Sequence, residues 1–320
     1  MIRYIRHNNI DFNRWDDCID HSVNGMFYAY AWYLDMTADS WDALVEDDYR
    51  AVMPLPFRRK AWINYIYQPF FVQQLGVFST GRLNERVTGQ FLKAVPERFK
   101  YADFNLNTFN HLSDRHPLIG GKGITHELDL IAPYERLQAG YSSNLRRNIK
   151  KALAKEVYVT GAGRPEDIIR IFLQNRGRRG VPFSEKDYRV LKHLIYAGMH
   201  KGMVTLRFAY SPTNELCAGI VFFRSHQKVV LLFSGSTPEA RSNGAMSLII
   251  DRFIRENAGK ELVLDFEGSA DPGLARFYRG FGSEECVFLR IIMNNMPFPA
   301  EPVLDGYRWL KNRCKLHKNA

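Results

Sequence analysis

The sequence predicts an α/β fold of the α+β kind, with mixed, mostly antiparallel sheets flanked by helices and two domains in tandem. Three observations predict it. The chain has 320 residues, more than one ordinary domain needs. Residues 204–210, 217–224 and 228–234 are apolar, strand-like runs joined by Ser211-Pro212-Thr213-Asn214 and Ser225-His226-Gln227, short polar loops that suit antiparallel hairpins. After them the period alternates: helix 243–257, strand 261–266, helix 272–279, strand 286–293.

The first half reads in a similar way. Residues 2–6 form a strand, 12–19 and 29–36 are helical, and 43–46, 50–56 and 63–78 are extended. Asp47-Asp48 marks a hairpin turn, because short polar residues tolerate turn geometry. Asn84 is placed to cap a helix over 84–99, with Val87, Phe91, Leu92 and Val95 on one face. Residues 102–107 and 125–131 are extended again, and Gly120-Gly121-Lys122-Gly123 before them reads as a flexible turn, lacking the strand-loop-helix setting of a phosphate loop. Residues 133–157 are helical and basic, followed by helices 165–176 and 184–200; Ser184 and Asp187 have the spacing of a capping box. Gly259 is placed to stop the helix that precedes it.

With 46% hydrophobic and 24% charged residues, the composition is that of a soluble globular protein. No apolar run approaches the roughly 20 residues that span a bilayer, and Met1 to His7 lack the apolar core of a signal peptide, so a cytoplasmic location is expected. Cys18, Cys217, Cys286 and Cys314 are scattered, without the spacing of a disulfide framework or a zinc site. His111 and His116 lack a third well-spaced ligand, and no metal is expected. Lys and Arg outnumber Asp and Glu by 44 to 34, a net charge of +10, which suits phosphate-bearing partners or peripheral contact with an anionic membrane. Arg58, Arg59 and Lys60 read as a strand-end turn; Lys311, Arg313, Lys315 and Lys318 form a basic tail that touches an anionic surface or keeps the end soluble.

Two stretches of the second half carry chemistry. Arg241-Ser242-Asn243-Gly244-Ala245-Met246 follows a strand and opens a helix, where free N–H groups and partial positive charge favour phosphate. The same six residues also describe a plain helix start opened by Asn243 after a Pro238 turn. Further on, Leu264-Asp265-Phe266-Glu267-Gly268-Ser269 ends a strand, and Ala275-Arg276-Phe277-Tyr278-Arg279-Gly280-Phe281-Gly282 follows. Asp265 and Glu267, two apart, share a strand face; paired carboxylates raise one another's pKa, and one acts as base toward an amine. Alternatively Asp265 caps the following turn and Glu267 pairs with Arg276 or Arg279.

In this element order, the Arg241–Met246 and Phe277–Gly282 segments resemble the signatures of the GNAT N-acyltransferases. The resemblance implies that the donor's pyrophosphate lies against Arg241, Asn243, Gly244 and Ala245, although Met246 stands where the family has Gly or Ala. It also implies that Tyr278 lies beside the leaving atom and protonates it; the residues alone leave Tyr278 equally open to packing with Phe277 and Phe281.

Tyr141-Ser142-Ser143-Asn144-Leu145-Arg146-Arg147-Asn148-Ile149-Lys150-Lys151-Ala152 resembles the linker of the Fem-type (FemAB-like) peptidoglycan peptidyltransferases, which carry two tandem GNAT-like domains. That resemblance implies an N-terminal domain over 1–132, degenerate and on the acceptor side. A donor-binding, catalytic C-terminal domain follows over 133–320, with a basic linker helix at 141–156, and the substrate cleft lies between the two. The implied donor is acyl-CoA or aminoacyl-tRNA, and the implied acceptor a small-molecule or cell-envelope-precursor amine. The long helix pair with which Fem-type enzymes grip tRNA has no counterpart. Arg146, Arg147 and Lys150, with Lys151, occupy two adjacent helix faces, suited to clamping phosphates or to a solvated surface. Tyr67 and Gln68, with Gln73 and Gln74, interrupt an aromatic run and are expected to line an acceptor pocket. The expected function is N-acyl or aminoacyl transfer. The alternative is a catalytically inactive GNAT-like module binding an anionic partner, tRNA or a lipid head group, in which case the cleft to Tyr278 is plugged.

Overall fold

A computed structural model describes residues 1–60, 62–175, 183–268 and 271–296. The first half runs β1 (Ile2–Ile5), α1 (Phe12–His21), α2 (Ala31–Thr37), β2 (Trp41–Glu46), β3 (Ala51–Lys60), β4 (Ile63–Tyr67), β5 (Phe78–Ser79), α3 (Glu85–Lys93), β6 (Phe99–Asn105) and β7 (Ile119–Asp129). The helices α4 (Tyr134–Ala139) and α5 (Ser143–Ala154) lead into the second half. It contains β8 (Tyr158–Thr160), α6 (Pro165–Asn175), α7 (Glu185–His200), β9 (Val204–Tyr210), β10 (Leu216–Ser225), β11 (Lys228–Ser236), α8 (Pro238–Asn243), α9 (Ala245–Asn257), β12 (Val263–Asp265), α10 (Pro272–Arg279) and β13 (Glu284–Asn294).

The strands join in one sheet of order β1-β2-β3-β4-β6-β13-β7-β12-β11-β10-β9-β8, with β5 pairing β3 off this path. This order is a palindrome. β1, β2, β3, β4 and β6 occupy the places that β8, β9, β10, β11 and β12 occupy on the other side, and β4–β6 and β11–β12 are the parallel pairs. At the centre the halves exchange strands: β13 lies between β6 and β7, and β7 lies between β13 and β12. The division at 132/133 therefore separates the halves along the chain but not in space.

The exchange explains the glycines expected in a turn. Residues 120–123 lie within β7, where a Cβ at Gly120 would meet Ile292 at 2.3 Å and one at Gly123 would meet the Phe288 ring at 2.1 Å. The missing side chains let β13 settle against β7.

The halves also share a core. Trp15 on α1 and Tyr33 on α2 are buried with Ile168 on α6, Leu194 on α7 and Phe223 on β10, and Phe27 stacks on Phe223 at 4.7 Å. A second core joins α5, through Leu145, Ile149 and Ala152, to α9 and the opposite face of β10 and β11. Local signals act as read: Asn84 accepts from Val87 N–H, the Ser184–Asp187 capping box is formed, and Gly259 has φ +77° just past α9. Two readings change. The extended run 63–78 breaks after Tyr67, because Pro69 cannot donate to a sheet and Phe71 takes φ +63°. The helix expected over 243–257 is α9, beginning at Ala245, and a separate helix, α8, precedes it over Pro238–Asn243, divided from it by Gly244 at φ +79°. Arg176 and the basic tail lie outside the described residues. Among the described residues no helix is long and apolar enough to cross a membrane.

Candidate active site

β11 and β12 pair only over Lys228–Val230 with Val263–Asp265, then diverge. Two local features separate them. Glu267 and Gly268 adopt φ +48° and +60°, turning the chain off the sheet after β12. On β11, Val221 and Phe222 of β10 face Phe233 and Leu231, so Leu232 is an extra, bulged residue. A cavity of about 970 Å³ fills the wedge. Second-half residues from β11, the turn after β12, α8, α9 and α10 line one side; Pro69–Gln73 of the first half, with Phe172, Asn175 and Phe183, line the other.

Tyr278 reaches this cavity from α10, a helix begun by Pro272 and capped by Asp271, which accepts from Gly273 and Leu274 N–H. Its ring is 5% exposed and stacks on Phe266 at 4.8 Å, and its hydroxyl lies 3.9 Å from the position of a Cβ on Gly268. Glu267 lines the same wall; burial pushes its carboxyl up to about 8. The phenol and a carboxyl held near neutrality therefore share one wall, a pair able to donate and accept a proton on a bound substrate.

Asp265 does not join them. The strand ends at Asp265, and the turn at Glu267 breaks the expected common face. Asp265 is fully buried, accepts from Thr125 Oγ1 and from Glu267 N–H, and lies 3.7 Å from Lys228 Nζ, which also pairs with Glu127 at 2.6 Å. Burial raises its pKa, with Lys228 opposing. It thus caps the turn that aims Glu267, the alternative reading of this residue.

The helix-opening segment also differs from expectation. Arg241 lines the cavity, along with Thr237, Pro238 and Met246. Asn243, Gly244 and Ala245 are not on its wall. Asn243 is 2% exposed, and its side chain accepts from Ala245 N–H at 2.9 Å and donates to Cys217 Sγ at 3.3 Å, so that N–H is already engaged. Gly244 touches α5: a Cβ there would stand 2.3 Å from Asn148 O.

Of the remaining expected residues, Gln73 lines this cavity and the others lie elsewhere. Arg146, Arg147 and Lys150 are exposed on α5; Arg146 and Lys150 border a separate depression with Glu135, and Arg146 donates to Ala139 O. Tyr67 and Gln68 line a shallow pocket with Tyr101, Asp103 and Arg290. Arg58 lies over the Tyr67 ring at 4.1 Å, and Gln68 holds Asn105 N–H and Val72 O. Sequence reading missed the cavity wall at Phe70, Phe71 and Val72. Its signal was Pro69, a strand breaker inside an aromatic run.

Comparison with known proteins bears on the fold. Residues 139–273 match the family described as "Acetyltransferase (GNAT) domain". No curated protein matches the chain by sequence. Among solved structures, FemX is similar at TM-score 0.61 and 11% identity, covering 91% of this chain and 98% of that one. A conserved protein of unknown function from Bacteroides thetaiotaomicron has TM-score 0.53 and 12% identity, with 90% and 99% covered. L-PGS from Bacillus licheniformis has TM-score 0.50 and 12% identity, with 82% and 87% covered. The fold is that of the Fem-type GNAT proteins.

Proposed function

From the GNAT-type acetyltransferase domain at residues 139–273, which makes the protein an acyltransferase, we propose that it moves an acyl group from acyl-CoA to an amine. The donor sits on the second half, residues 133–320, and the amine enters from the cleft between it and the first half, residues 1–132. The observation that carries this reading is the open wedge between β11 and β12, with Tyr278 and Glu267 on one wall and Arg241 on another. A plugged cleft would have favoured the non-catalytic module.

In this reading Arg241, at the start of the helical segment, meets donor phosphate. Glu267 takes a proton from the amine as its nitrogen attacks the thioester carbonyl carbon. The C–S bond then breaks, and Tyr278 gives its proton to the departing thiolate. Enclosure by both halves supplies positioning, which carries much of such a transfer.

Aminoacyl-tRNA is the second donor reading, favoured by the exposed Arg146, Arg147, Lys150 and Lys151 on α5. Against it, the longest helix among the described residues is α7, with 16 residues, too short for a tRNA-gripping pair. Titration calorimetry with CoA, acyl-CoAs and charged tRNA separates them. Binding of a CoA species is expected; binding of charged tRNA alone overturns the CoA reading.

A further inference from the structure

Among the described residues, the charged side chains on the cavity are Arg241, Glu267 and Asp271, all from the second half, and the opposite wall carries none. Phe183 packs edge-on against Phe70 at 5.0 Å and touches Phe71 at 5.1 Å, while Phe172 packs on Phe233 at 4.7 Å, so two groups of aromatic rings, with Gln73 and Asn175 beside them, make this wall mostly apolar. Val72 is 4% exposed beneath them. The volume, about 970 Å³, is at the upper end of the ~300–1,000 Å³ usual for small-molecule pockets. An acetyl group is too short to cover these rings, and a charged aminoacyl side chain finds no counter-charge on this wall among the described residues.

We propose that the wall of Phe70, Phe71, Val72, Phe172, Phe183 and Phe233 is an acyl-chain subsite, and that the donor carries an unbranched or aromatic apolar acyl group longer than butyryl. This rests on the acyl-CoA reading of the site. Leu232, the bulged residue of β11, marks where the carbonyl end leaves the strand and the chain turns toward the first-half loop. Chain length is then measured by a segment of the first half, which gives the half without a donor site a role in donor selection.

The test is calorimetric titration of the full chain with CoA and its acetyl, butyryl, hexanoyl, octanoyl and decanoyl thioesters. Each methylene buried should tighten binding by about fourfold, so burial of just three or four of the six extra methylenes makes octanoyl-CoA about a hundredfold tighter than acetyl-CoA. Equal affinity for CoA and the whole series overturns the subsite and leaves the donor reading standing. Failure of every member, free CoA included, overturns both. Phe70→Ala, at a residue 38% exposed and so safe for folding, should cut the octanoyl-to-acetyl affinity ratio by about tenfold. Val72→Trp, which fills the wall, should abolish length dependence; an unchanged ratio in both variants overturns the assignment.

Discussion

The two parallel strand pairs occupy equivalent places in the palindromic sheet, and they end differently. After Val230 and Asp265, β11 and β12 separate and leave the cavity. After Tyr67 and Asp103, the first-half wedge is filled by its own chain. Gln68 accepts from Asn105 N–H at 2.9 Å, Leu75 N–H donates to Asn105 O at 3.0 Å, Asn107 N–H to Leu75 O at 2.7 Å, and Thr108 N–H to Gln74 Oε1 at 3.1 Å. In the second half a helix follows the strand at once; in the first, β4 runs into irregular chain and α3 begins only at Glu85. The difference teaches that one topology yields a binding site or a solid core according to whether the segment after the fourth strand coils into a helix or lies down in the gap. Here the same first-half segment fills its own wedge and walls the other.

Four changes break or sharpen this contrast. Tyr278→Phe removes the phenolic proton and keeps the stacked ring on Phe266, so turnover should fall by about 10²-fold or more with little change in melting temperature. Steady-state kinetics beside a thermal melt checks both, and unaltered turnover would remove Tyr278 from the mechanism. Gly244→Val, at the break between α8 and α9 that has no first-half counterpart, forces a branched side chain into the left-handed region and into Asn148 O. It should cost about 3 kcal/mol in denaturant unfolding.

Gln68→Ala attacks the plug. It strips a partner from Asn105 N–H and should cost about 1–3 kcal/mol while donor affinity holds; a large loss of affinity would mean that the two wedges are coupled.

Glu267→Gln is read through pH. The native carboxyl keeps its proton up to about 8, whereas an unfolded glutamate loses it near 4.5. Between those values the native state binds more protons, so this group makes stability fall as pH rises through the window, and the variant should flatten that slope. As a base, Glu267 must be ionised: kcat/KM should climb toward a plateau above about pH 8 in the native protein and lose that limb in the variant.

Much of the second half was legible because its signals are local. The hairpin loops, the Ser184–Asp187 box and the span of α10 depend on neighbouring residues, and each formed as read. Tyr278 and Glu267 were legible for a related reason, since their segment is a short strand-turn-helix whose geometry the sequence carries. What was not legible depends on distant partners. Asp265 looked like the mate of Glu267 until Lys228, Glu127 and Thr125 surrounded it. The glycines of β7 looked like a turn because the strand that needs them, β13, lies more than 150 residues further on. The contribution of Phe70–Val72 required knowing that the first-half loop lies across the second-half wedge.

The exchange of β7 and β13 bears on how substrates are admitted. Each half clasps the other's final strand, and α1 and α2 are sunk into the core of the second half, so the walls of the cavity belong to one welded frame. Swinging one half away from the other would strip β13 from β6 and β7 from β12. In the proposed transfer, selection among substrates then falls to the outline of the opening, and a larger acceptor is accommodated by side chains that turn aside at its rim.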